Sequence, residues 1–395
     1  MSKDSPFLLN KVECPVCKKV NEFETVRVGA YLEKGRDTDF CPLEIEWRYP
    51  KYQAYDPLAF FAAMCPHCFY SREFTHSFRD WKKDANFKTY KLKQIKDKHL
   101  EQLAAADSIV KDLGTTVDMA SYPNESAILK LHLAVFDEML ADHPSELDLG
   151  RFYLRIGWVF RSIDSDDDPG RRVIQGMLDK IDSRFMTVRS ALATVKEESG
   201  ILRRHLKAHL ESPDLPPALR PVAEVQRDRF ATPIDGFDAA IVVSTGEAEK
   251  ISKMLNEYRQ EATGGDAGAS ATSGFAGSPN FRTYLSDRQG RWDGIVVSEQ
   301  QALQAAVHYY AAAFSNGNDI APGYQQIQAS YMIAELSRRV GDYDTARQYF
   351  NSTIKHGQEF IYKNRTNQSR TALARKILEL AMEQGRENMA AIKKG

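Results

Sequence analysis

Scarcity narrows the reading of this chain first. Five cysteines in 395 residues are too few for a disulfide framework, and a chain this long can bury a core without one. Charge of one sign is missing as well: 53 basic side chains face 54 acidic ones, a formal net charge of −1. No global field draws such a chain to nucleic acid or to a membrane surface, so binding of either kind needs a local patch. Long apolar runs are absent; the nearest candidates, 58–63 and 305–314, fall far short of the roughly 18 residues a membrane helix requires. No membrane insertion is therefore expected. The opening residues lack an apolar core with a small-residue cleavage site, so no secretory signal is read and a cytoplasmic address is the default. No G-x-S-x-G, H-E-x-x-H, P-loop or paired His/Asp set stands out, and the expectation is a protein that is not an enzyme.

What cysteine there is, is concentrated. Cys14-Pro15-Val16-Cys17 and Cys65-Pro66-His67-Cys68 are two matched C-x-x-C turns, and four thiolates supplied in this way make a closed tetrahedral set for a structural Zn²⁺. Four sulfurs leave no open position for a catalytic metal. The alternative use of C-x-x-C, thiol–disulfide exchange, calls for one pair at a helix start in a thioredoxin-like βαβ context, which is not found here. The 47 residues between Cys17 and Cys65 exceed the roughly 15 to 20 of a short ribbon. They must form a folded insert or strands that bring the knuckles together. Alternation around 23–28 and 43–48 reads as strand, with Gly29, Gly35 and Arg36–Asp39 as turns. Cys41 reads as a buried small hydrophobe, and His67 and His76 as bystanders to the second knuckle that could otherwise replace a thiolate. From 72 to 98, Phe74, Phe78, Trp81, Phe87 and Tyr90 alternate with arginines and lysines. Such a segment either stacks single-stranded nucleic acid or packs the module onto the first helix with its lysines in solvent.

The paired knuckles, the Gly35-Arg36-Asp37-Thr38-Asp39-Phe40 segment, the tyrosine-rich stretch from Pro50 to Pro57 and the Cys65-Pro66-His67-Cys68-Phe69-Tyr70 exit together resemble the bacterial domain-of-unknown-function 2225 family. That resemblance implies an N-terminal cysteine-knuckle region followed by tetratricopeptide-like helices, with no established activity. One departure is Phe69, where the pattern has glycine and a left-handed turn would favour it.

Beyond about residue 84 the pattern is helical. Residues 86–113 read as one long helix stopped by Gly114, and a second helix carries Ile128, Leu131, Val135, Phe136 and Met139 on one stripe. Tyr153, Ile156-Gly157 and Phe160 follow the first-helix pattern of a tetratricopeptide repeat, with Gly157 leaving room for a close neighbour. Asp164–Gly170 resembles a calcium loop only superficially: its glycine is misplaced and Gln175 stands where a bidentate Glu is needed. It reads instead as a helix start with Asp168 as N-cap and Pro169 in the first position. Residues 212–222 break the helix, Ser244–Glu247 reads as a capping box opening another, and 264–279 is a Gly/Ser/Ala-rich linker without the order of a nucleotide loop. Repeats resume with Ala306, Tyr310 and Ala313, then Ile333-Ala334, the Gly341-Asp342-Tyr343 turn and Phe350, although Ser330 and Ser337 replace the usual large residues. Residues 368–393 supply a last helix.

The expected fold is therefore mainly α: a tetratricopeptide-like helical array bearing a small β-containing, zinc-ribbon-like N-terminal module. The segments are 1–84, 85–210, 211–300 and 301–395. The expected function is binding of a protein or peptide partner in a groove of the array, with Cys14, Cys17, Cys65 and Cys68 holding a structural Zn²⁺. A nucleic-acid-binding ribbon using 72–98, and a redox- or zinc-sensing regulator, are the alternatives.

Overall fold

The computed structural model describes residues 5–53, 55–75, 78–164, 169–262, 275, 278, 280–317 and 319–393, with side chains left undescribed over parts of the two longest helices. The chain forms two compact units, 1–168 with 270–395, and 169–269.

The first unit begins with three antiparallel hairpins. β1 (Phe7–Glu13) pairs with β2 (Val20–Val26), β3 (Tyr31–Arg36) with β4 (Pro42–Trp47), and β5 (Ala62–Met64) with β6 (Ser71–Glu73). An isolated two-stranded hairpin is marginal in water, so each is tied down elsewhere. Phe7 packs edge-on against Trp47 and Tyr52 and close to Phe60, while β5 and β6 lie along helix α3 (Pro123–Met139).

α3 is the axis of the unit. Every residue from Ser126 to Glu138 is buried, because the helix is enclosed by β5, β6, α1 (Leu92–Ala104), α2 (Ile109–Thr116) and α4 (Glu146–Asp164). A helix buried all round has no wet face for its polar side chains, and each must find a partner inside. Lys130 donates to the Ala59 carbonyl. Asp137 accepts from the Ser71 N–H at 2.8 Å and meets His99 at 2.5 Å. Glu138 accepts from Arg72 at 2.9 Å and from the Ser145 N–H at 2.6 Å, and pairs with Lys91. The Val296 N–H donates to His132 Nε2 at 3.0 Å.

That last bond fixes a pH response. Nε2 can accept only while unprotonated, and burial pushes the His132 pKa down to about 3. Between that value and the ordinary 6.5 the unfolded chain binds a proton that the folded chain refuses, so stability rises with pH over this interval and is complete above it. At pH 4.5 the loss is about 2 to 3 kcal/mol at about 1.4 kcal/mol per unit. The change in urea stability between pH 7 and pH 4.5 should therefore be larger in wild type than in His132→Gln by about this amount.

α4 pairs with α8 (Glu299–Asn316). The expected close approach is at Gly157, where an added Cβ would lie 2.9 Å from Leu303; at Gly150 it would meet the Tyr310 ring at 3.1 Å. α7 (Phe281–Gln289) leads into α8, and α9 (Tyr324–Arg339), α10 (Tyr343–Lys363) and α11 (Gln368–Ile392) pack in sequence. Gly341 takes φ 88° and Asp342 caps α10 by accepting from the Thr345 N–H at 3.1 Å. Ser330 is fully buried because its hydroxyl meets that of Thr353 at 2.9 Å, which explains one departure from the repeat pattern. Ser337 is also fully buried, and its hydroxyl has no hydrogen-bond partner among the described residues.

The second unit is a hairpin of α5 (Pro169–Leu210) and α6 (Arg220–Ala262), joined through a 3₁₀ turn at Pro217–Leu219. Pro169 opens α5 as expected; Asp168, the expected cap, and most of the 264–279 linker lie outside the described residues.

Three local expectations are corrected. Residues 86–113 are not one helix. A π turn at Phe87–Lys91 precedes α1, and the chain then breaks at Ala105 (ψ 144°) before Ser108 caps α2 by accepting from the Lys111 N–H. Gly114 does not stop a helix either: it lies inside α2, where an added Cβ would sit 2.2 Å from Phe69. Ser244–Glu247 lies inside α6, where the Thr245 hydroxyl donates back to the Ile241 carbonyl at 2.8 Å, a common use of threonine mid-helix. The compact units also do not coincide with the four segments read from sequence, since α4 is completed by α8 and α5 belongs with α6.

Candidate metal centre and groove

Both knuckles are built by one local device. The turn from Cys14 to Lys19 joins β1 to β2, and the turn from Cys65 to Tyr70 joins β5 to β6. In the first, the Lys18 N–H donates to the Cys14 carbonyl at 3.1 Å and the Cys14 N–H to the Lys19 carbonyl at 2.9 Å; in the second, Phe69 donates to Cys65 at 2.8 Å and Cys65 to Tyr70 at 2.9 Å. Each closes through a residue at φ 64°, Lys18 and Phe69. The left-handed conformation expected at Phe69 is thus present without glycine. Its ring fills the space over Gly114, and the contact offsets the backbone strain.

The hairpin tips bring Cys14, Cys17, Cys65 and Cys68 together, with all four sulfurs within 4.8 Å of one another. Cys14 and Cys68 are 3.7 Å apart and Cys17 and Cys65 3.6 Å. Sulfurs at about 2.3 Å from a tetrahedral ion would be separated by about 3.8 Å, so the donor set fits a metal of that size. Backbone N–H groups are aimed at three of the sulfurs. The N–H of Cys17 points at Cys14, those of His67 and Cys68 at Cys65, and that of Tyr70 at Cys68; Asn21 Nδ2 donates to Cys65 Sγ at 3.6 Å. Hydrogen bonds from the neighbouring thiols hold Cys65 well below the usual thiol range and push Cys68 up. Four ionised sulfurs at this spacing require a cation between them.

A buried chain of hydrogen bonds ties the cluster to α3. His99 Nε2 meets the Cys68 carbonyl at 2.8 Å and Nδ1 meets Asp137 at 2.5 Å. Burial opposes charge on His99, but Asp137 beside it outweighs that and raises its pKa. His67 is exposed and outside the sulfur set, and His76 lies outside the described residues. Cys41 is buried 9% exposed, away from the cluster, its thiol pushed up to about 12 by burial. Of the aromatics at 72–98, Phe78, Trp81 and Phe87 are core residues and Tyr90 is exposed.

The second site is one that the sequence did not announce. The β3–β4 turn, Asp37–Cys41, is an acidic finger seated against α4 and α9. The Asp37 N–H donates to the Cys41 carbonyl at 2.8 Å, and Phe40 occupies the left-handed position at φ 67°. Asp39, with no exposed surface, accepts from Arg161 Nη2 at 2.6 Å, from Trp158 Nε1 at 3.2 Å and from the Cys41 N–H at 3.2 Å. Asp37 accepts from Arg339 at 2.7 Å and Arg161 at 3.1 Å. Burial raises the Asp37 pKa, but the Thr38 N–H and Arg339 outweigh it and leave the carboxyl below its ordinary value. Tyr331 donates to the Thr38 carbonyl at 2.8 Å and Arg339 to the Thr38 hydroxyl at 2.8 Å. The only sequence signal was the Gly35–Phe40 segment itself. Lys18, Phe40 and Phe69 are the non-glycine residues at positive φ among those described, and they fall at the two knuckles and the finger.

Beside the finger opens a groove of about 1040 Å³, walled by the finger, α4, α8, α9 and α11, with Leu154, Trp158, Tyr324, Met332 and Leu380 among its apolar surfaces. No helix among the described residues is long and apolar enough to cross a membrane.

A family model described as "Uncharacterized protein conserved in bacteria (DUF2225)" matches residues 7–194 and 291–380. No curated protein and no solved structure matches.

Proposed function

The chain belongs to the DUF2225 family of uncharacterized bacterial proteins, and from that premise we propose that it is a non-enzymatic, cytoplasmic interaction protein. In this reading its helices form a tetratricopeptide-like array, the four cysteines hold a structural Zn²⁺, and the groove beside the acidic finger receives a segment of a partner protein.

The observation that supports it most is the groove. Its volume of about 1040 Å³ stands at the upper end of the roughly 300–1,000 Å³ of small-molecule sites, and helices, not mobile loops, supply most of its walls. Zinc is the preferred metal because an all-thiolate tetrahedral set at this spacing suits it, and closed coordination assigns it to structure. Nucleic-acid binding by 72–98 is disfavoured because three of its aromatics are committed to the core and stacking requires free ring faces.

The test is a photocrosslinking amino acid at Gln328, an exposed residue of the groove wall, compared with one at the exposed Lys111 on α2. In native cells, crosslinks to a protein specific to position 328 are expected. Identical products from both positions, or none from position 328, would sink the reading.

A further inference from the structure

The charges of the groove leave a remainder. Glu33 is paired with Arg36 at 2.6 Å, Arg151 with Glu73 at 3.0 Å and Asp148 at 3.1 Å, and Asp37 and Asp39 with Arg161 and Arg339. Of the charged residues that line it, Arg155 and Lys376 have no carboxylate within ion-pair distance among the described residues. Lys376 is exposed on α11. Arg155, on α4, is mostly buried: its guanidinium lies 4.1 Å over the Phe61 ring and Nη1 donates to the Arg151 carbonyl at 3.0 Å, while its buried Nε has no hydrogen-bond partner among the described residues. A buried, unsatisfied donor on a cation is costly to keep, and its position on the wall of a groove suggests that a ligand completes it. Burial also lowers the Arg155 pKa, consistent with an undercompensated charge.

The same two helices already hold a chain segment of the kind that would complete it. Asp37–Phe40 is bound by arginines at its carboxylates and by Tyr331 at its backbone carbonyl. Arg155 lies six residues before Arg161 on α4, about 9 Å along the axis, or about three residues of extended chain. Gln328 on α9, whose exposed side chain makes no hydrogen bond among the described residues, offers both a donor and an acceptor to a peptide unit. Two cations unpaired among the described residues are too few for a polyphosphate backbone, and the apolar walls require side chains to cover them.

We propose that the groove binds an extended acidic peptide segment, with a carboxylate held by Arg155 and Lys376 and apolar side chains on Trp158, Met332 and Leu380. This rests on the reading of the groove as a partner site and names the chemistry of the partner.

Fluorescein-labelled decapeptides that alternate Leu or Phe with Glu, and counterparts with Gln in place of Glu, are titrated into the full chain. The crosslinker at Gln328 reports where they bind. The acidic set is expected to bind about tenfold more tightly, the worth of one charge-assisted hydrogen bond. Arg155→Met should abolish that preference, Arg155→Lys keep part of it, and Lys376→Gln, at an exposed position that cannot affect folding strongly, reduce it about threefold. Equal binding of both sets with crosslinking at position 328 would overturn the acidic proposal and leave the groove reading standing. Failure of both sets to crosslink there would remove both. Competition by sodium decanoate at concentrations equal to the acidic peptides would overturn the peptide in favour of a small carboxylic acid.

Discussion

Cys65→Ser protein should bind no zinc and should lose cooperative unfolding of its N-terminal module, whereas wild type should carry one zinc per chain by elemental analysis. The effect is expected to be the largest of any single substitution here. Two hairpins that are marginal alone meet at the sulfur cluster, and structural zinc supplies about 10–16 kcal/mol to small metal-folded modules at neutral pH. Part of the module will survive, because Phe7, Trp47 and Tyr52 form their own aromatic cluster and β5 and β6 also rest on α3. The loss will spread in a specific direction. Cys68 is tied to His99, and His99 and Ser71 to Asp137, so hydrogen exchange should rise at 12–24 and 62–72, then in α1 and the C-terminal half of α3, and leave α9 to α11 unchanged. Zinc release should accelerate as pH falls, because protons compete for thiolates. An unchanged melting profile after chelation would remove the metal from the structural account.

The knuckles were legible because metal chemistry is written in local spacing: two C-x-x-C turns announce themselves without knowledge of the fold. The helices around Tyr153, Gly157 and Ile333-Ala334 were legible for a similar reason, since periodicity reports which face is covered. What covers it is another matter. Gly157 signalled a close neighbour, yet that neighbour is Leu303, beyond the whole of α5 and α6, and no local pattern carries such a pairing. The stripe on α3 was read as five apolar residues, while the structure buries Lys130, His132, Asp137 and Glu138 as well. Polar burial depends on partners from the turn at Ala59, β6, α1 and the segments before α4 and α8 that only the assembled fold supplies. The break at Ser108 was hidden by helix-favouring Lys, Gln, Leu and Ala on its N-terminal side, because propensity is weaker than the packing that turns α2 toward Phe69. The acidic finger escaped notice as a site because an Asp-Thr-Asp turn looks like solvated loop; its meaning lies in arginines on distant helices.

That finger carries the second large effect. Asp39→Ala should destabilise the first unit by about 3 kcal/mol, toward the lower end of the roughly 3–5 kcal/mol for breaking a buried pair, because Arg161 retains some contact with water (22% exposed) and keeps Glu299 at 2.7 Å. Asp37→Ala should cost about 1 kcal/mol, since Asp37 is 28% exposed and solvent screens such pairs. Arg161→Met combined with Asp39→Leu should recover part of the loss, because it removes the unpaired guanidinium, while Trp158 Nε1 and the Cys41 N–H still lack the acceptor that Asp39 gave them. Acid titrates the same contact. The Asp37 carboxyl sits below its ordinary 3.8, so its contribution is complete above that value and is lost as pH falls through the lower folded pKa. Urea denaturation of wild type, Arg161→Met, Asp39→Leu and the pair forms a double-mutant cycle, with hydrogen exchange across 31–47 reporting release of the finger. A cost for Asp39→Ala no greater than that for Asp37→Ala would mean that the finger rests on the helices without being held by them. The groove would then have one movable wall.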